Sequence, residues 1–375
     1  MRFKLKFWQS KILLVLASSI FSLLFAELVL RFISPHEVYL CSVPEVEMER
    51  NNKFHNFFSS IDSSYHYSVN EFGYRSSTLF AKNRYGILAV GGSTTDCIGL
   101  ADKETWPWLL EQQLNESSPN EKFTVGSIGV PAFNSFHHVL QVKHIIPQLD
   151  NIKMVVLLVG INDFLRFLQL EKDDLIPDEK TLLHQTFVRH PRKTHEHWFQ
   201  QTELWAHLRD AVNLIRKVYE VENMEFDLST KLAEYETAIK INSLPDLEPA
   251  MKVMSNNILK INKICAERKI KLVVITQPVL WHKNMSKEEI KVSSYGKPIK
   301  NRKSYSDETM EEGMNIFNQQ LLKIADQNNI YSIDLANQYP KNTTVFFDHC
   351  HYNKNGSTLV SELIFKELKN ILAQE

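Results

Sequence analysis

The sequence predicts an α/β chain built on a parallel, doubly wound sheet, and three observations predict it. Five short apolar runs, Tyr85 to Val90, Phe123 to Ile128, Met154 to Val159, Lys271 to Thr276 and Ile330 to Asp334, have the composition of strands covered on both faces. Amphipathic stretches with helical spacing separate them, so strand and helix alternate as crossover connections require. Polar, glycine-bearing loops follow the first and third runs, at the carboxyl ends where such sheets form their ligand crevice. The expected architecture is a flavodoxin-like three-layer α/β/α sandwich with a five-stranded parallel sheet, carrying an N-terminal transmembrane helix and a helical insertion.

The N-terminus comes first in the chain. Arg2, Lys4, Lys6 and Lys11 precede Ile12 to Ala26, fifteen residues without a charge, and the apolar character continues past Glu27 and Arg31 to Ile33. This is a membrane-targeting segment whose cationic flank stays in the cytoplasm and leaves the rest of the chain on the far side. Leu24-Phe25-Ala26 offers a single small residue for cleavage, which favours an uncleaved, single-pass anchor over residues 1–33 and an extracytoplasmic main domain. Glu27 and Arg31 stand one helical turn apart and can pair near the interface.

Residues 34–84 read as an irregular, aromatic-rich approach broken by Pro35, Pro44, Asn51-Asn52 and Ser63-Ser64, packing on the main domain over 85–375. Asn70-Glu71-Phe72-Gly73-Tyr74-Arg75 looks like a defined turn in which Gly73 takes a conformation costly for other residues. After the first strand, Trp106 to Leu114 carries Trp106, Leu109, Leu110 and Leu114 on one helical face, and Phe136 to Leu149 points Val139, Leu140, Ile145 and Ile146 inward. Helices are expected again near Ala250 to Arg268, Met310 to Gln327 and Ser357 to Leu372. Between Phe164 and Leu247 the rhythm breaks; Leu204 to Val221 and Leu228 to Ile241 read as helices with no strand, an insertion that can wall the crevice or simply add a packing layer. Met285 to Asp307 reads as a charge-rich loop, mobile over the site or merely solvated.

Composition sets the outer limits. The 375 residues suffice for one sizeable core, and 43% hydrophobic content with a formal charge of −1 describes a globular enzyme and gives no electrostatic case for a nucleic-acid partner. Cys41, Cys97, Cys265 and Cys350 are too scattered for a disulfide framework, and a single bridge would require an oxidising compartment.

The chemistry rests on three loops. Gly91-Gly92-Ser93-Thr94-Thr95 follows the first strand and offers a hydroxyl nucleophile; Asp348-His349-Cys350-His351 precedes the last helix and offers a base with a carboxylate to fix its tautomer. Gly160-Ile161-Asn162-Asp163, after the third strand, brings an amide that can donate to an oxyanion without becoming charged. His184, His190, His195, His197 and His207 decorate the insertion, but His195-Glu196-His197 has poor metal-ligand spacing, and solvated surface histidines are the favoured reading. Cys350 between two histidines is read as packing or a disulfide, because a triad histidine must remain free to shuttle protons. No metal and no cofactor are expected.

In order and spacing, Gly-Gly-Ser-Thr-Thr, Gly-x-Asn-Asp and Asp-x-x-His resemble the blocks of the SGNH (GDSL-like) hydrolase superfamily, over about residues 70–372 without the insertion. The resemblance implies Ser93 as nucleophile, His351 as base, Asp348 as its orienting partner, and Asn162 with the Ser93 amide as oxyanion donors. Asn70 to Arg75 looks like a segment of membrane-anchored members, and Thr276-Gln277-Pro278 with Trp281 is similar to a crevice loop of one branch, which makes Gln277 and Trp281 candidate substrate contacts. Two departures stand out. Gly92 replaces the middle Asp of Gly-Asp-Ser, and aligning Ser127 to Ala132 with the second block puts Ala132 where a glycine N–H joins the oxyanion hole, with Gly129 as the alternative donor three residues earlier. The implied function is a serine esterase removing an acyl group, acetyl above all, from a carbohydrate or lipid through an acyl-enzyme on Ser93. An O-acyltransferase passing that group to a sugar hydroxyl is the alternative, and a non-catalytic membrane-anchored binding protein the third.

Overall fold

The computed structural model describes residues 2–33, 37–56, 58, 60–76, 80–118, 121–169, 176–191, 194–195, 197–223 and 228–373. Helix α1 (Arg2–Ile33) contains a 24-residue stretch, Ser10–Ile33, long and apolar enough to cross a membrane, a property that signal sequences share; none of it is buried. An antiparallel hairpin of β1 (Val46–Asn51) and β2 (Ser64–Val69) follows. The main domain then runs through β3 (Tyr85–Gly91), α2 (Ser93–Asp96), α3 (Trp106–Ser117), β4 (Phe123–Ser127), α4 (Ser135–Ile145), β5 (Ile152–Leu158) and α5 (Ile161–Gln169). The insertion comprises α6 (Glu179–Thr186), α7 (Glu203–Asn223), α8 (Leu228–Thr237) and β6 (Ile239–Ile241). The chain returns through α9 (Glu248–Glu267), β7 (Lys271–Ile275), α10 (Lys287–Ser293), β8 (Ile299–Lys300), β9 (Lys303–Tyr305), α11 (Asp307–Gln327), β10 (Tyr331–Ile333), α12 (Leu335–Gln338) and α13 (Lys354–Leu372).

The five expected strands form one parallel sheet in the order β4-β3-β5-β7-β10. Counted along the chain this is 2-1-3-4-5, the flavodoxin-like order, whose direction reverses between the first and third strands. Alternate residues of the central strands enter opposite layers. Leu88, Val90, Val155 and Leu157 pack with apolar residues of α4, α9 and α11, whereas Ile87, Ala89, Met154 and Val156 pack with those of α3 and α13. Both faces are covered, which is why these strands lack polar alternation; each fully buried aliphatic side chain contributes roughly 1.5–3 kcal/mol.

Three expectations need correction. The approach segment is not irregular: β1 and β2 alternate inward and outward, with Val46, Tyr65, Tyr67 and Val69 in a small core of their own. The helical pattern from Leu228 to Ile241 stops at Thr237, and Ile239–Ile241 pairs in parallel with Lys303–Tyr305, so the insertion contains a strand. The Met285 to Asp307 stretch is ordered by α10 and the β8–β9 hairpin and is held by a buried Lys297 ammonium paired with Asp307. All four cysteines are free and buried.

Candidate active site

The site is assembled where the sheet order reverses. Ser93 opens α2 one residue after β3 and Asn162 lies in the first turn of α5 just after β5, so the two neighbouring strands flanking the reversal deliver the hydroxyl and the amide to one crevice. His351 arrives from the loop before α13. Its Nε2 lies 2.7 Å from Ser93 Oγ, and its Nδ1 lies 2.6 Å from Asp348 Oδ2. The carboxylate is shaped by its own turn: Oδ1 accepts the amides of Cys350 at 2.9 Å and His351 at 2.8 Å, leaving Oδ2 for the imidazole. A buried carboxylate facing Nδ1 makes that nitrogen the protonated one, so Nε2 is free to accept the Ser93 proton.

The electrostatics follow from this geometry. Burial works against the imidazolium of His351, but the adjacent Asp348 carboxylate outweighs it and raises the imidazole well above its ordinary value. Burial likewise opposes ionisation of Asp348, and the charge of His351 and the hydrogen bonds it receives reverse the balance and hold it below the usual carboxylate range. Behind His351, the Phe347 ring stacks at 5.6 Å and is itself packed by Phe54 and Phe58 of the approach segment.

The residues expected to form an oxyanion hole carry the departures noted in the sequence. Gly129 cannot be the second-block donor, because its N–H is already given to Ser127 Oγ at 3.2 Å. Its lack of a side chain serves packing instead, since a Cβ there would meet the Asp96 amide at 2.3 Å. Ala132 is exposed, its N–H makes no hydrogen bond among the described residues, and its φ of 66° is the left-handed conformation that glycine adopts most easily. The backbone therefore keeps a glycine's geometry without the glycine, at a cost of roughly 1–2 kcal/mol. Asn162 Nδ2 donates one proton to the Phe133 carbonyl at 2.7 Å, which leaves its second proton for a ligand. Gly92 explains the other departure: a Cβ at that position would sit 2.4 Å from Asn162 Nδ2.

Gln277 and Trp281, expected in the crevice, are both buried. Gln277 accepts from Thr94 Oγ1 at 3.1 Å and donates to the Pro278 carbonyl at 2.9 Å, while Trp281 stacks on the His349 ring at 5.3 Å. They form the floor behind Ser93 and Asp348 and present no surface to a ligand. Gly296 also packs against the His349 ring, where a Cβ would come within 2.1 Å of its Cγ.

Two supporting carboxylates escaped the sequence reading. Asp163 accepts from the Ser135 amide at 3.1 Å and hydroxyl at 2.5 Å, tying the start of α4, and with it the Ala132 loop, to α5; burial pushes its carboxyl up to about 6. Asp102 accepts from Ser68 Oγ at 2.6 Å and from Arg75 Nη2 at 2.6 Å, and Arg75 also donates to the carbonyls of Asp96 and Leu100. Arg75 thus clamps the chain just after the Ser93 helix. The Asp in Gly-x-Asn-Asp and the Arg closing the Asn70 turn were visible signals, but their partners were not.

The histidines of the insertion are not all solvated. His184, His190 and His195 come together with ring centroids 4.2 to 5.5 Å apart, and His190 and His195 are buried. Their nearest ring nitrogens lie within 4.8 Å of one another, as do donor atoms of Asp348, His349, Cys350 and His351. The first set is occupied in part by protein: Arg209 Nη1 donates to His195 Nε2 at 2.7 Å, and burial reinforced by that cation pushes His195 down to about 4. In the second set both ring nitrogens of His351 already have partners. Glu196 lies outside the described residues.

No family model and no curated protein matches the chain. Among solved structures it is similar to an acetylxylan esterase from Geobacillus stearothermophilus, at 10% identity and a TM-score of 0.42, over 76% of this chain and 96% of that one. It is also similar to a psychrotrophic esterase from Pseudoalteromonas sp., at 11% identity and a TM-score of 0.40, over 77% and 98% of the two chains. A member of the lipolytic protein G-D-S-L family from Veillonella parvula DSM 2008 is similar at 12% identity and a TM-score of 0.38, over 75% and 97%.

Proposed function

We propose that the chain is a serine ester hydrolase of the SGNH type, and the observation that carries this reading is the unbroken Ser93–His351–Asp348 hydrogen-bond relay. His351 Nε2 takes the Ser93 proton as Oγ attacks the ester carbonyl, and Asp348 steadies the resulting imidazolium. The tetrahedral oxyanion is held by the Ser93 amide, the Ala132 amide and the remaining Asn162 Nδ2 proton. Collapse expels the alcohol, which leaves with the proton from His351, and an acyl-enzyme remains on Ser93. Water then attacks with His351 again as base, releasing the carboxylic acid and the free serine.

The substrate we infer is an acyl ester, acetyl above all, on a carbohydrate or lipid. Ser93 retains 9% of its surface, and Pro131 and Ala132 of the β4–α4 loop are exposed, which supports an ester presented by a larger molecule. The site stands outside the cytoplasm in this reading, anchored by an uncleaved α1 whose basic flank of Arg2, Lys4, Lys6 and Lys11 remains inside. Retention of α1 is supported by a contact: Glu27 accepts the Leu204 amide at 3.1 Å, so removing α1 would leave the start of α7 without that partner.

The full chain in detergent should hydrolyse p-nitrophenyl acetate and be labelled by a fluorophosphonate. Ser93→Ala should lower kcat by roughly 10⁴-fold or more and abolish labelling, whereas Cys350→Ser should keep both. Full labelling of Ser93→Ala would sink the assignment.

A further inference from the structure

Helix α7 is amphipathic the wrong way round for a helix in water. At 100° per residue, Glu203, Ala206, Arg209 and Asp210 share one face, and Leu208, Val212 and Ile215 share the opposite one. The polar face is the inner one. Glu203 and Ala206 are buried, Asp210 accepts from Arg189 at 2.9 and 2.6 Å, and Arg209 reaches inward to His195. The apolar face is open: Leu208 is 56% exposed, Val212 47% and Ile215 69%. Just before α7, Trp198 is 79% exposed and Phe199 is exposed beside it.

The position of α7 relative to α1 says what covers this face. Lys11 and Glu27 bound the charge-free core of α1, Ile12 to Ala26, and the rise from Lys11 to Glu27 is about 24 Å of helix, which the long Lys11 and Arg31 stems extend to the hydrocarbon thickness of a bilayer by snorkelling. Glu27 is thus the first charge on the far side. It is paired with Arg31 Nε at 2.7 Å and takes the Leu204 amide, so α7 starts where the span ends. A helix that begins at headgroup depth, turns Glu203, Arg209 and Asp210 into the protein, and follows an exposed tryptophan matches an interfacial membrane helix.

We propose that the insertion is a second membrane contact, in which α7 lies along the phospholipid surface that α1 crosses and seats Leu208, Val212 and Ile215 at the acyl boundary. The inference rests on the reading of α1 as a span. It sets the catalytic domain's orientation on the bilayer, which a single flexible anchor would leave free, and so assigns the insertion a placement role instead of a wall of the crevice.

The test uses the full chain in phosphatidylcholine and phosphatidylglycerol nanodiscs with one nitroxide at a time, on Leu208→Cys or Ile215→Cys. Leu16→Cys in α1 and the exposed Leu259→Cys on α9 serve as lipid and water references, and the chain with its four buried cysteines alone gives the background. Labels at 208 and 215 should collide with oxygen several-fold more than with a water-soluble nickel chelate, as at 16 and opposite to 259. Nickel access at 215 equal to that at 259, with 16 still lipid-like, overturns the inference and leaves the anchor standing. Nickel access at 16 would instead defeat the span itself. Shielding of 215 from both reagents with spin–spin broadening would assign the face to a second copy and also overturn the proposal.

Discussion

His351 sits between two partners that fix both of its ring nitrogens, and this gives its titration a direction. Only the neutral imidazole can take the Ser93 proton, so kcat/KM should rise with pH through an inflection above 6.5, the ordinary imidazole value, and be lost as pH falls through it. Asp348→Asn removes the charge that raises the imidazole and presents the wrong tautomer, so the inflection should move down and kcat should drop by about 10⁴-fold. A pH profile of the variant with the inflection unmoved would exclude Asp348 as the source. Ser93, His351 and Asp348 were legible in the sequence because chemistry restricts the residue types and the last two share one turn. Asp163 and Arg75 were not, because what each does depends on a partner about 28 residues away in Ser135 and about 27 residues away in Asp102, and nothing in a linear string records that proximity.

At the scale of elements, the proposed mechanism takes one oxyanion donor from the β4–α4 loop. Its alanine at φ 66° carries strain of roughly 1–2 kcal/mol, part of which a glycine would return as extra freedom of the unfolded chain. Ala132→Gly should therefore stabilise by about 0.5 kcal/mol in chemical denaturation with kcat unchanged. A large fall in kcat would mean that the Ala132 methyl, and not its amide, matters to the site. The elements that sequence periodicity misjudged failed for a common reason. In β1 the inward position 50 is an arginine, whose charge is accepted because its guanidinium lies 3.4 Å over the Tyr67 ring, so the alternation looked broken. At Ile239–Ile241 the helical pattern continues, but pairing with Lys303–Tyr305 overrides local preference.

At the scale of the molecule, the approach segment braces the chain around Ser93 and His351. Arg75 holds Asp102 and the carbonyls beyond Ser93, and Phe54 and Phe58 back the ring behind His351. Arg75→Met would leave Asp96 and Asp102 without their cation, with a loss of about 3 kcal/mol in denaturation and slower fluorophosphonate labelling of the folded protein. Unchanged labelling with lowered stability would limit the brace to folding. The sequence by itself determined the sheet, its covered strands, the apolar N-terminal helix and the three loops of the site, because burial on both faces and chemical role each restrict composition locally. Tertiary structure alone decided that, among the described residues, the Gly129 amide has a partner and the Ala132 amide has none, that Gln277 and Trp281 are buried, and that α7 turns Leu208, Val212 and Ile215 outward. Those outcomes depend on which hydrogen bonds are already taken and which surfaces are already covered, and both are properties of neighbours distant in the chain.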